Sequence, residues 1–110
     1  MAEFERISIT AARKLIAENP SGVHVLDVRD PQSYQSARIP GASHLSNDNV
    51  AAFLAAADPN AAVVVYCYHG NSSQGAAQFL VERGFTRAYS LDGGFEQWRL
   101  DGPVESPGER

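Results

Sequence analysis

Cys67 is the only cysteine in a chain of 110 residues. It ends an apolar run, Val63-Val64-Val65-Tyr66, and opens a polar stretch, Tyr68-His69-Gly70-Asn71-Ser72-Ser73. The run reads as a buried strand, and a helical pattern follows the polar stretch. A thiol at such a junction faces backbone N–H groups and the positive end of a helix. That setting favours the thiolate, which is the nucleophilic form. An unperturbed thiol, with a pKa near 8.5, is only about 3% ionised at neutral pH. Making half of it thiolate takes about 2 kcal/mol of preferential stabilisation of the anion. A helix N-terminus supplies about 0.3–2 kcal/mol of this, and inward-pointing N–H groups add hydrogen bonds. The loop has the composition to curl in this way. Gly70 and Asn71 tolerate left-handed backbone angles, and Ser72 or Ser73 can cap the helix.

The neighbours of Cys67 narrow what it can attack. The tyrosine-phosphatase pattern places arginine six positions after the cysteine to clamp phosphate in a fork. That position is Ser73, and the loop holds neither arginine nor lysine. A cysteine hydrolase needs a general base at the thiol. His69 is awkwardly close in the same tight loop, His24 falls in a strand and His44 near an edge. A dithiol oxidoreductase needs a second cysteine. Sulfur transfer suits a lone one: the thiolate attacks the outer sulfur of a donor such as thiosulfate, sulfite leaves, and an external thiophile collects the sulfur from the resulting persulfide. A nearby second thiol would instead trap the persulfide as a disulfide.

Strands and helices alternate along the chain, which predicts an α/β fold with a mostly parallel sheet. Strands are expected at residues 6–9, 23–28, 42–45, 62–66 and 88–91. Thr10 is expected to cap the first helix, whose apolar face is Ala12, Leu15 and Ile16. Asp30 before Pro31 starts the second. Asn47 or Asp48 caps the third, which carries Val50, Phe53, Leu54 and Ala57. The fourth buries Ala76, Ala77, Leu80 and Val81 and ends at Gly84. Asp92-Gly93-Gly94 turns into the last, with Phe95 and Trp98. Ligands of such sheets bind beyond the carboxyl ends of the strands, where Cys67, Asp27, Arg29 and Asp92 fall. Asp27 and Arg29 either shape the pocket or form a structural ion pair. Tyr68 packs or lines the entrance, and His69 either brings positive charge to a donor anion or faces solvent.

The length indicates one domain over 1–110, with a core over about 6–100 and a loose tail over 101–110 rich in Pro, Gly and charge. Hydrophobic residues make up 44%, which argues against disorder. A net charge of −4 without a basic stripe argues against nucleic acid. No apolar run reaches the ~18 residues of a membrane span, and Met1-Ala2-Glu3-Phe4-Glu5 lacks the parts of a signal peptide. A lone cysteine fits a reducing, cytoplasmic setting.

Three segments carry a resemblance: Leu26-Asp27-Val28-Arg29-Asp30-Pro31, the loop from Cys67 to Ser73, and Ser90-Leu91-Asp92-Gly93-Gly94-Phe95 with Trp98. Together they resemble the single-domain rhodaneses, thiosulfate sulfurtransferases of the GlpE type. The six residues from Cys67 to Ser72 match the short loop of that family, and phosphatase-like relatives carry one residue more. Ala37-Arg38-Ile39-Pro40-Gly41-Ala42 departs from the Gly-His-Ile-Pro-Gly-Ala of many relatives in a segment with a mainly structural role. The resemblance implies a three-layer, rhodanese-like fold with a five-stranded sheet and helices on both faces. It implies a Cys67 persulfide held mainly by backbone N–H groups of Tyr68, His69, Gly70, Asn71 and Ser72, with Ser73, Asp27 and Arg29 in support. It further implies ping-pong transfer to cyanide or a dithiol, thioredoxin-like proteins among the acceptors, with no metal or cofactor. Two other readings stay open: a binding module that carries sulfur or docks a partner without turnover, and a phosphatase.

Overall fold

The computed structural model describes residues 3–106. Strands and helices alternate along them as β1 (Glu5–Ile7), α1 (Ile9–Glu18), β2 (Val23–Asp27), α2 (Pro31–Ser36), β3 (Ser43–His44), α3 (Val50–Ala56), β4 (Ala62–Tyr66), α4 (Ser72–Glu82), β5 (Arg87–Leu91) and α5 (Gly94–Trp98). The strands form one five-stranded sheet in the order β1-β5-β4-β2-β3. Every neighbouring pair is parallel, because each strand is followed by a helix that returns the chain to the same end of the sheet.

β4 is the central strand and all of it is buried. Its alternation divides the interior in two. Val64 and Tyr66 pack with Val25, Leu91, Ala12, Phe95 and Trp98. Val63 and Val65 pack with Leu26, Leu80, Phe85 and Ala88 on the opposite face. Helices α1 and α5 therefore cover one face, and α3 and α4 the other, which is the three-layer arrangement expected. The same alternation sends Cys67, the next residue after β4, toward α4. On β5 it does the same for Ser90, which lies opposite Val65 in the register.

Beyond the first strand, which ends at Ile7 rather than residue 9, and outside the Cys67 loop, local details differ from the sequence reading at three places. Ser8, not Thr10, caps α1: its hydroxyl accepts from the N–H of Ala11 at 3.1 Å, and Thr10 lies inside the helix. The residue before α3 is Asn49, not Asn47 or Asp48, and it makes no side-chain cap. Its carboxamide is used by the preceding turn, accepting from the Ser46 N–H at 2.8 Å and donating to the His44 carbonyl at 2.7 Å. The third difference is the tail. Residues 101–106 are held against the body rather than loose. The Trp98 indole donates to the Pro103 carbonyl at 2.7 Å. Arg38 and Glu105 exchange two backbone hydrogen bonds of 2.9 and 2.8 Å and pair their side chains at 3.1 Å. Residues 107–110, and Met1 and Ala2 at the other end, lie outside the described residues. Among those described, no helix is long and apolar enough to cross a membrane.

Candidate active site

The loop between β4 and α4 is shaped by its attachment to α5. The N–H groups of Phe95 and Glu96 donate to the carbonyls of Cys67 and Tyr68 at 2.8 and 3.0 Å. With those carbonyls tied outward, the loop's own N–H groups can turn toward the sulfur. This needs close backbone approach: a Cβ added at Gly94, where φ is +60°, would collide with the Tyr68 carbonyl. Gly70, at φ +93°, makes the turn itself. Asn71, expected to share that freedom, is right-handed, with φ −92°. The Gln74 side chain donates to the Gly70 carbonyl at 2.8 Å and pins the loop to the first turn of α4.

Two N–H donors and one hydroxyl from this loop and helix converge on the Cys67 sulfur, the hydroxyl accepting from the thiol and able to donate once the thiolate forms. The N–H groups of Gly70 and Ser73 lie 3.2 and 3.3 Å from Sγ, and the Ser73 hydroxyl lies 3.4 Å away. Burial pushes the thiol up. The Ser73 hydroxyl and the N–H groups of Ser73, Gly70 and His69 oppose it and hold the thiol below its ordinary value. A lowered pKa keeps the anion to lower pH, so alkylation of Cys67 is expected to rise with pH to a plateau whose midpoint lies below about 8.5. Acidification through that midpoint should remove the nucleophile, and further alkali should add nothing at this residue. Iodoacetamide kinetics across pH check this without ambiguity, because the chain has one cysteine.

Cys67 opens into a cleft of about 190 Å³ lined by Val28, Arg29 and Asp30 on one side and Tyr68, His69, Asn71 and Ser72 on the other. Asn71 and Ser72 are exposed there. Among the described residues, their N–H groups take no acceptor within the protein. A helix N-terminus leaves such donors free. Tyr68 lines the entrance, its hydroxyl donating to Ser33 at 2.6 Å. His69 is exposed, and its imidazole makes no hydrogen bond to the sulfur among the described contacts.

Asp27 and Arg29 form a buried ion pair, with side chains 0% and 2% exposed. The Asp27 carboxylate accepts from the Arg29 N–H at 2.8 Å and from its guanidinium at 2.7–3.1 Å. The Arg29 Nη2 also donates to the Ala37 carbonyl. Burial opposes the guanidinium's charge, but the hydrogen bonds and charge of Asp27 more than offset it. The guanidinium carbon sits 4.2 Å from the centre of the Phe95 ring and 5.0 Å from that of Tyr68. The ion-pair reading describes the pair's contacts, and Arg29 also lines the cleft beside Cys67. The pair forms a charged platform under Tyr68. Asp92, at the end of β5, pairs outward with Arg6 at 2.7 Å.

Neither Ser72 nor Ser73 caps α4. Ser73 is fully buried and uses its hydroxyl at long range, toward Cys67 and toward Ser90 at 2.8 Å. Ser90 was not anticipated as a site residue. Its signal lies in the alternation of β5, where a serine takes the inward position after Ala88.

A family model described as the rhodanese-like domain matches residues 8–101. The thiosulfate sulfurtransferase GlpE of Pseudomonas entomophila is 53% identical over 106 residues, covering 96% of this chain and 94% of that protein. The thiosulfate sulfurtransferase GlpE of Pseudomonas paraeruginosa is 50% identical over 103 residues, covering 94% and 91%. Among solved structures, the rhodanese-like domain of an Anabaena protein superposes with a TM-score of 0.81 at 23% identity, covering 92% of this chain and 78% of that one.

Proposed function

The chain belongs to the rhodanese-like domain family, and from that membership we propose that it is a thiosulfate sulfurtransferase working through a persulfide on Cys67. The observation that carries the reading is the sulfur's surroundings. Donors converge on Sγ, and two further N–H groups, on Asn71 and Ser72, lie unspent along the cleft in front of it.

In the first half-reaction the Cys67 thiolate attacks the outer sulfur of thiosulfate. The new bond joins Sγ to that sulfur, and the old sulfur–sulfur bond breaks with its electron pair leaving on sulfite. The charge carried in by thiolate and thiosulfate is carried out by persulfide anion and sulfite, so no proton moves. The terminal sulfur then bears the anion, and the N–H groups of the loop from Tyr68 to Ser72 are the donors able to hold it. In the second half-reaction a thiophile attacks that sulfur and Cys67 leaves as the thiolate, again without a proton. Cyanide would give thiocyanate. A dithiol, thioredoxin-like proteins included, would attack as its thiolate, take the sulfur as its own persulfide and, on closing to a disulfide, expel it as hydrosulfide with the proton of the second thiol. Acceptors larger than cyanide have a neighbouring groove of about 460 Å³ that shares Val28 and Arg29 with the cleft and is lined also by Leu45, Val50, Ala76 and Phe79. A reducing, cytoplasmic setting keeps the lone thiol available.

Incubation with thiosulfate and cyanide is expected to release thiocyanate in proportion to enzyme, following ping-pong kinetics. Absence of thiocyanate would overturn the assignment of substrates. A second reading has one observation behind it: among the described residues, the arginine lining the cleft is Arg29, whose charge is balanced by Asp27, so among them no unpaired lysine or arginine lines it to meet the donor dianion. On that reading Cys67 receives sulfur from a protein persulfide and loads poorly from thiosulfate. Loading from a persulfidated donor protein with none from thiosulfate would favour it.

A further inference from the structure

We propose that Ser90 is a positioning residue of the sulfur site, donating its hydroxyl proton to Ser73 so that the proton of Ser73 is held on the Cys67 sulfur. The three atoms form a chain, Sγ to the Ser73 oxygen at 3.4 Å and on to the Ser90 oxygen at 2.8 Å. Ser73 and Ser90 are 0% and 1% exposed. Among the described contacts, the Ser73 hydroxyl reaches Sγ and Ser90, and the Ser90 hydroxyl reaches Ser73. That leaves two ways to place two hydroxyl protons. If Ser73 donates to Ser90, the Ser90 proton has no acceptor and the sulfur loses a donor. If Ser90 donates to Ser73, Ser73 donates to the sulfur and both protons are used. Only the second arrangement satisfies both buried hydroxyls, and it points the chain at the sulfur.

A donor chain ending on a charge is also polarised along its length, so the second hydroxyl strengthens the first. The arrangement serves both states of the cycle. In the free enzyme Sγ is the anion. In the persulfide Sγ carries no proton and still accepts, while the loop N–H groups face the terminal sulfur. The hydroxyl chain therefore keeps one orientation throughout, and no proton has to enter or leave this buried side. The fold supplies the geometry directly, because Ser90 lies opposite Val65 on the face that Cys67 shares. The charged and titratable groups facing Cys67 from the other side are Arg29 and Asp30 of the β2–α2 junction, with Tyr68 and His69 of its own loop. All of them are left in place when Ser90 is altered.

The purpose of the chain rests on the sulfurtransferase reading, but its existence does not, because alkylation reads the Cys67 sulfur whether or not it carries sulfur between substrates. In Ser90→Ala, the midpoint of Cys67 alkylation is expected to rise by about half a unit, or about threefold less thiolate below the midpoint. Ser73→Ala should raise it further, and Ser90→Thr, which keeps the hydroxyl, should restore the unmutated value. The double variant Ser73→Ala with Ser90→Ala should match Ser73→Ala alone, because Ser90 acts through Ser73. A midpoint unmoved in Ser90→Ala, or a Ser90 effect undiminished without the Ser73 hydroxyl, overturns the proposal. Should the alanine variant not fold, the Ser90 Cβ resonance of the unmutated protein decides the matter. It is expected to titrate with Cys67, and a resonance indifferent to that titration overturns the proposal.

Discussion

Replacing Cys67 by serine is expected to abolish thiocyanate formation, a fall of at least about 10⁴-fold, with little change in melting temperature. The loss follows from what surrounds the position. A serine hydroxyl becomes a nucleophile when a base removes its proton. The partners of position 67 are two backbone N–H groups and a hydroxyl, all donors suited to an anion already formed. They favour the thiolate by holding the thiol below its ordinary value, and can do nothing for an alcohol that remains protonated. Structural cost is small because serine is close in size and can use the same donors. The loop's frame is backbone, through the Phe95 and Glu96 N–H groups and the Gly70 turn. Activity assays beside a thermal melt check both halves. Activity within a hundredfold of the unmutated enzyme would mean that the chemistry does not run through Cys67.

Asp27→Ala is expected to lower stability by about 3–5 kcal/mol, a fall of about 15 °C or more in melting temperature. The removed carboxylate takes four hydrogen bonds from Arg29. Left behind is a guanidinium 2% exposed, with the Ala37 carbonyl and aromatic ring faces for company. An uncompensated charge this deeply buried is far more costly than the pair was worth. Tyr66 belongs to the same cluster. Burial, with the nearby Asp27 charge, pushes its phenol above the ordinary value, so it remains a neutral donor beside the pair. The second replacement separates charge from packing: Asp27→Ala with Arg29→Met should recover much of the loss, because two apolar side chains leave nothing unpaired. Chemical denaturation of the single and double variants measures both values. A single-variant loss under about 1 kcal/mol would contradict the role given to this pair.

Much of the site was legible because its determinants are local. The valines before Cys67, the glycine at position 70, and Asp30 before Pro31 each state a strand, a turn and a helix start within a few residues. What escaped the sequence depends on partners far along the chain. Ser73 reads locally as a helix cap, and only the register of β4 against β5 brings it a hydroxyl partner seventeen residues away. The residues after α5 read as loose because they are rich in proline, glycine and charge. The bridge to Arg38 that holds Glu105 spans 67 positions and leaves no local trace. The caps of α1 and α3 failed for a third reason. Ser8 and Thr10 are both competent to cap, as are the consecutive residues Asn47, Asp48 and Asn49. Propensity cannot choose between neighbours that are chemically alike.

The central claim is that Cys67 carries sulfur as a persulfide, and intact-mass measurement after brief exposure to thiosulfate tests it most directly. The mass should rise by one sulfur atom per chain, return to its starting value on adding cyanide, and stay unchanged throughout in Cys67→Ser. An unmutated chain that gains no sulfur from thiosulfate or from a persulfidated donor protein would contradict the account, as would a gain that persists in Cys67→Ser.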